Sequence, residues 1–185
     1  MGKSKFPCAA EDRHCLCSPI IIKPKLIRDE NCPATIMNQI KNLIYIVDDD
    51  PDDRQIILDA FLEHTNTLDY VFLEDGQELL DTLQASNISD YPSLIILDLN
   101  MPGMLGLQVL KIIRSNPAYS HIPIIVLTTS ELNTDRKRSY ELGANCFLTK
   151  PKLYTDLIKL TRSIAVIWLD EEISQSVPNG DTINI

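Results

Sequence analysis

The sequence predicts an α/β protein built on an open, parallel, doubly wound five-stranded sheet with helices on both faces. Three observations carry that expectation. Short apolar runs alternate five times with amphipathic helical patterns between residues 43 and 168. Two of the runs, "LIILD" and "PIIVLTT", are apolar at nearly every position, as parallel strands covered on both faces are. Each βα repeat also implies a right-handed crossover to a parallel neighbour.

The first strand is expected at residues 43–47, and it stops abruptly in "YIVDDDPDD", residues 45–53, where five aspartates are interrupted only by Pro51. A helix start accounts for part of this charge. Asp50 suits the N-cap, Pro51 the first helical position, and Asp52 and Asp53 the positive end of the helix dipole. Asp48 and Asp49 precede the cap, on the strand end itself, and need another explanation. The helix that follows, at 51–64, carries Ile56, Ile57, Ala60 and Phe61 as its buried stripe. A second unit pairs a strand at 70–73 with a helix at 77–85. The third strand, 94–97, ends in Asp98 within "LIILDLNMPG" and leads to a helix at 107–115. The fourth, 124–127, ends in Thr128, Thr129 and Ser130; its helix, 134–142, is followed by Gly143 where a left-handed cap would sit. The fifth, 146–148, runs into "LTKP", which puts Lys150 just beyond the sheet, and the last helix is expected at 153–168.

Composition bounds the rest. With 185 residues, 44% apolar and 23% charged, the chain is sized for one domain plus tails. No apolar run approaches the ~20 residues of a membrane span, so no membrane insertion and a cytoplasmic location are expected. Residues 1–40 hold six Lys/Arg against four Asp/Glu and the remainder 11 against 22, for a net charge of −9. An acidic body without a basic stripe argues against DNA binding, which needs clustered positive charge to displace counterions. Residues 1–40 lack periodicity, include four prolines and are expected to be disordered, with Met37 as an alternative start. Four of the five cysteines lie there; "RHCLC", residues 13–17, has the wrong spacing for a common zinc knuckle, and free thiols are expected.

In an open parallel sheet the site lies outside the carboxyl ends of the strands, at the switch point. If the first, third, fourth and fifth strands are neighbours, Asp48, Asp49, Asp98, the Thr128 hydroxyl and the Lys150 ammonium share one cleft. Three carboxylates at ~5 Å repel by about 3 kcal/mol per pair at an effective dielectric of ~20. Proton sharing or a divalent cation relieves this, and oxygen ligands without cysteine or histidine favour Mg²⁺. A cation beside Asp98 would leave that carboxylate free to attack a phosphoryl group. His14, His64 and His121 sit at no predicted strand C-terminus, and no glycine-rich phosphate loop is present.

At these residues the chain resembles a response-regulator receiver domain, the phosphoacceptor half of two-component signalling. The resemblance covers about residues 41–168 and rests on "VDDDP", "ILDLNMPG", "LTTS" and "FLTKP" in the family's order, with the threonine 30 and the lysine 52 residues beyond the aspartate. It implies the flavodoxin-like (βα)5 fold with strand order 2-1-3-4-5. It implies Asp98 as phosphoacceptor, and Asp48, Asp49, Asp98 and the Asn100 backbone carbonyl as the Mg²⁺ site. Thr128 and Lys150 match the residues that meet the phosphoryl group. Phe147 falls where the switch aromatic sits, with a fixed core aromatic as the alternative, and Lys150–Pro151 matches a cis peptide bond. Leu105, where a polar residue is usual, and Ser130 depart from the family pattern.

After Trp168 comes a short acidic stretch at 169–185, so a stand-alone regulator is expected, similar to single-domain regulators of the cyanobacterial phytochrome-partner and Bacteroidetes types. The resemblance implies a sensor histidine kinase, phytochrome-type among the candidates, as phosphodonor. Output would come through the face of the fourth helix, fifth strand and fifth helix, and Trp168 is placed either in the core or in a homodimer. A phosphorelay intermediate or phosphate sink is the alternative. An aspartate-nucleophile phosphohydrolase is the competing class, but it requires an aspartate where Asn100 stands.

Overall fold

A computed structural model of the chain describes residues 42–169. The expectations for residues 1–40, including Met37 and the "RHCLC" thiols, and for the acidic stretch beyond Leu169 lie outside the described residues. The elements run β1 (Leu43–Val47), α1 (Pro51–Leu62), β2 (Asp69–Leu73), α2 (Gly76–Ala85), a 3₁₀ turn (Ile88–Asp90), β3 (Leu94–Leu97), α3 (Gly106–Ser115), β4 (Ile124–Thr128), α4 (Asn133–Glu141), β5 (Cys146–Thr149) and α5 (Tyr154–Trp168). All neighbouring strands are parallel, in the order β2-β1-β3-β4-β5. The chain reverses direction across the sheet between β1 and β3, and the crevice at their carboxyl ends is the switch point of the fold.

The pleat sorts the strand residues into two cores. Tyr45, Val47, Ile95, Leu97, Ile124 and Val126 pack with Leu79 and Leu83 of α2 and Val109, Leu110 and Ile113 of α3. Ile44, Ile46, Leu94, Ile96, Ile125 and Leu127 face the other way, against Ile57, Ala60 and Phe61 of α1 and Leu157, Ile164 and Ala165 of α5. Fully buried side chains such as Ile46 and Leu97 contribute about 1.5–3 kcal/mol each, enough to make register slips unfavourable. Trp168 is half-buried against the α1/α5 core, so its ring caps the packing.

Local signals explain the helix ends. Asp50 caps α1 by accepting from the Asp52 N–H at 2.9 Å, with Pro51 behind it. A variant of the capping box starts α2: the N-cap Asp75 accepts from the Glu78 N–H at 2.8 Å, while the Glu78 carboxylate reaches one residue further back and accepts from the Glu74 N–H at 2.6 Å. Gly143, at φ 96°, ends α4 in the left-handed region. Strands β4 and β5 each reach one residue further than their apolar runs, because Thr128 and Thr149 still pair in the ladder. Among the described residues no helix is long and apolar enough to cross a membrane.

Candidate functional site

The two central strands deliver the first two carboxylates. The Asp48 N–H donates to the Leu73 carbonyl and that of Asp98 to the Val47 carbonyl, at 3.1 and 3.0 Å, so the ladder fixes both backbones as the strands end. Both residues are almost fully buried, at 2% exposure for Asp48 and 5% for Asp98, while Asp49 is exposed. Oxygens of Asp48, Asp49 and Asp98 lie within 4.8 Å of one another. Neighbouring backbone N–H groups orient the two buried acids: Asp50 donates to Asp48 Oδ1 at 3.1 Å, and Leu99 donates to Asp98 Oδ1 at 2.8 Å.

The loop after Asp98 is held close by glycine. A Cβ on Gly106 would stand 2.3 Å from the Asp98 carbonyl oxygen and 2.8 Å from Leu99 Cα, so only glycine lets α3 begin against this turn. Gly103, at φ 77°, supplies the reversal before it.

Lys150 closes the pocket from β5. Its N–H donates to the Thr128 carbonyl at 2.8 Å, continuing the ladder. Its ammonium donates to Asp48 Oδ2 and to Asp53 Oδ2, both at 2.6 Å, and stands 3.9 Å from Asp98 Oδ2. The Lys150–Pro151 bond is trans, which corrects the cis bond that the resemblance implied. The physical reason is the ordinary trans preference of about 0.5–1 kcal/mol, met here without disturbing the Lys150 ladder bond.

Burial pushes the Asp48 carboxyl above its ordinary range, and the nearby Asp98 adds to this; the hydrogen bond and charge of Lys150 offset only part of it. Burial alone would lower the Lys150 ammonium, but its hydrogen bonds to Asp48 and Asp53 and the Asp98 charge outweigh it and raise the group. The two directions agree physically: one ammonium serves several carboxylates, so the amine gains more than any single acid. Three carboxylates around one ammonium, with Asp49 beside two of them, leave excess negative charge. An all-oxygen donor set, with two of its acids buried, fits a hard divalent cation.

Thr128 is fully buried, and its hydroxyl accepts from the Asn100 amide and the Ser130 N–H, both at 3.3 Å. Asn100 also donates to the Thr129 hydroxyl at 3.2 Å, tying the β3 and β4 loops together across the pocket mouth. Phe147 is 3% exposed and packs in the core, with the Arg136 guanidinium 5.0 Å from its ring centre. Its N–H donates to the Tyr140 hydroxyl at 3.2 Å. Leu105 is exposed at the start of α3, and Ser130 bonds Asp135 and the Leu132 N–H, organising the turn into α4. His121 is exposed, away from the pocket, while the ring of His64 bonds Thr161 at 3.0 Å in the α1/α5 packing.

The structure therefore gathers Asp48, Asp49, Asp98 and Lys150, ties Thr128 to Lys150 through the backbone ladder, and keeps Phe147 inside. Sequence reasoning missed three contributors. Asp53 was absorbed into the helix start, although it lies four residues, about one turn, beyond Asp49. Arg54 gave no signal; it is 7% exposed, donates to the Asp48 carbonyl and reaches Glu74 at 3.5 Å. For Asn100 only the backbone carbonyl was expected, and the side chain proves to bridge two threonines.

Comparisons with known proteins agree with this arrangement. Residues 44–162 match the family model described as response regulator receiver domain. The chain is 37% identical over 131 residues to the response regulator Rcp1 of a Synechocystis species, a match covering 69% of this chain and 89% of Rcp1. It is 32% identical over 129 residues to a probable methanogenesis regulatory protein, FilR2, of Methanothrix harundinacea, covering 69% of this chain and 83% of that one. Among solved structures, the phosphorylated cyanobacterial phytochrome response regulator RcpA superposes with a TM-score of 0.64 at 34% identity, covering 69% of this chain and 94% of that one. The Mn²⁺-bound form of Rcp1 gives 0.62 at 34% identity, covering 76% and 99%. With its strand order, its acidic crevice at the β1/β3 switch point and a family match over most of the described residues, the chain belongs to the response regulator receiver domain family.

Proposed function

We propose that Asp98 is the phosphoacceptor and that the pocket takes its phosphoryl group from the phosphohistidine of a sensor histidine kinase in a Mg²⁺-dependent reaction. The observation that carries this reading is a buried carboxylate at the end of β3 with an ammonium 3.9 Å away and two further carboxylates within 4.8 Å. Asp48, Asp49, Asp98 and the Asn100 carbonyl would hold Mg²⁺, which when bound neutralises the carboxylates and the oxygens of the incoming phosphoryl group.

The chain's own residues do the rest. Hydrogen bonding from Leu99 orients Asp98 and leaves Oδ2 to attack phosphorus. The O–P bond forms as the P–N bond breaks, and the electron pair departs with the imidazole nitrogen. Lys150, already within 4 Å of Asp98, takes one phosphoryl oxygen, and Thr128 takes another after giving up its bonds to Asn100 and Ser130. That exchange changes the packing beside Phe147, and the α4–β5–α5 face passes it on. Tyr140 of α4 is 40% exposed, and Leu160 and Ile167 of α5 lie half-buried beside Cys146 and Leu148 of β5, which leaves that face ready for a partner with different affinity for the two states. Similarity to RcpA, a cyanobacterial phytochrome response regulator, supports a phytochrome-type kinase, and the same reading puts the protein in the cytoplasm with that kinase's phosphohistidine. Asn100 stands where an aspartate-nucleophile hydrolase needs its second acid, which disfavours that class.

The test is intact-protein mass after incubation with acetyl phosphate, with and without Mg²⁺. One added phosphoryl group on wild type that needs Mg²⁺ and is lost in Asp98→Asn is expected. Equal labelling of Asp98→Asn would overturn the assignment.

A further inference from the structure

Asp53 has no part in the reaction just described, yet it holds the pocket's ammonium as closely as Asp48 does. The two bonds from Lys150 are both 2.6 Å, while Asp98 stands off at 3.9 Å. The ammonium has three hydrogens, and two are committed to Asp48 and Asp53. Its side chain is 13% exposed, so little solvent competes for it. The simplest alternative is that Asp53 merely favours the positive end of α1. Asp50 and Asp52 already supply that, the one as N-cap and the other as an acid in the first turn. Neither is bonded to Lys150.

We propose that Asp53 is a positioning residue that holds Lys150 toward α1 in the resting state and competes for it with the phosphoryl group on Asp98. The proposal rests on the reading of Asp98 as phosphoacceptor. When a cation engages Asp48, Asp53 is the carboxylate left at hydrogen-bond distance from the ammonium. Phosphorylation then draws Lys150 off Asp53, and the strength of that bridge sets how far the phosphoryl group is held. Both residues also line a cleft of about 430 Å³ between α1 and the start of α5, with Ile56, Pro151, Tyr154 and Leu157. Exchange of the bridge therefore alters a wall of this cleft as well as the pocket.

Beryllofluoride, which mimics a phosphoryl group on a carboxylate, separates the alternatives. Its dissociation constant is measured by ¹⁹F NMR at saturating Mg²⁺ for wild type, Asp53→Asn and Asp53→Glu, and that of Mg²⁺ alone by calorimetry. Asp53→Asn is expected to bind beryllofluoride about two- to five-fold more tightly, the range of one partly exposed ion pair. It should bind Mg²⁺ more weakly, because a neighbouring negative charge is gone. A purely structural role would weaken both, so the opposite signs are the signature. Asp53→Glu should return toward wild type. Beryllofluoride affinity in Asp53→Asn at or below wild type overturns the competition, as does Asp53→Glu behaving like Asp53→Asn. A wild type that takes no beryllofluoride overturns the acceptor reading itself, and this proposal with it.

Discussion

Replacing Lys150 by methionine tests the electrostatic account of the pocket without touching a carboxylate. The substitution keeps an unbranched apolar stem and removes the charge that Asp48, Asp53 and Asp98 share. At 3.9 Å and an effective dielectric of ~20, the attraction to Asp98 alone is about 4 kcal/mol before desolvation is counted. Breaking a buried pair typically destabilises by about 3–5 kcal/mol, because the partner charge stays behind unpaired. Two features reduce that here. Asp48, whose carboxyl burial has already raised, can relieve the strain by taking a proton, and Asp53, at 38% exposure, is satisfied by water. A net loss of about 2–4 kcal/mol is therefore expected in the absence of metal, or a drop in Tm on the order of 10 °C for a domain of this size. Millimolar Mg²⁺ should stabilise Lys150→Met more than it does wild type, because the cation supplies the charge that was removed. Thermal unfolding in EDTA and in Mg²⁺ measures both. A variant within about 2 °C of wild type in EDTA, or one that Mg²⁺ stabilises less, would refute the reasoning.

The other predictions concern the loop and the titration of the pocket. Gly106→Ala should lower stability by about 2–4 kcal/mol in urea unfolding and reduce phosphorylation too, because its Cβ would meet Asp98 and Leu99 backbone that cannot rotate away. Lys150 is raised above 10.5, so its ion pairs stabilise the fold in full below pH 10.5, and that stability is lost as pH rises through the higher folded value. In urea unfolding across that alkaline range, wild type should lose stability faster than Lys150→Met; parallel curves would show that Lys150 is not held by these acids.

Parallel α/β topology is what made the pocket legible. Continuous apolar runs mark the buried strands, and their C-terminal residues must converge, so the sequence pattern alone brings Asp48, Asp98, Thr128 and Lys150 together. What stayed hidden depends on side-chain paths rather than on pattern. Asp53 satisfies helix-start chemistry by itself, which conceals its bond to a lysine 97 positions away. Arg54 occupies a polar place in a helical repeat and is nevertheless buried to bond the Asp48 carbonyl, a contact hydropathy cannot register. The sequence pattern starts α2 and α3 one residue late, after Gly76 and Gly106, because glycine gives no helical signal where tight packing, not propensity, selects it. The trans Lys150–Pro151 bond shows the limit of reading backbone geometry from resemblance.

The most direct measurement is chemical trapping of the phosphorylated residue. Wild-type protein treated with acetyl phosphate and Mg²⁺ is reduced with borohydride, which converts an aspartyl phosphate to homoserine, and the peptides are mapped by mass spectrometry. The account predicts homoserine at position 98 and only when Mg²⁺ is present. Homoserine at position 48 or 49, or at none of the three, would contradict it.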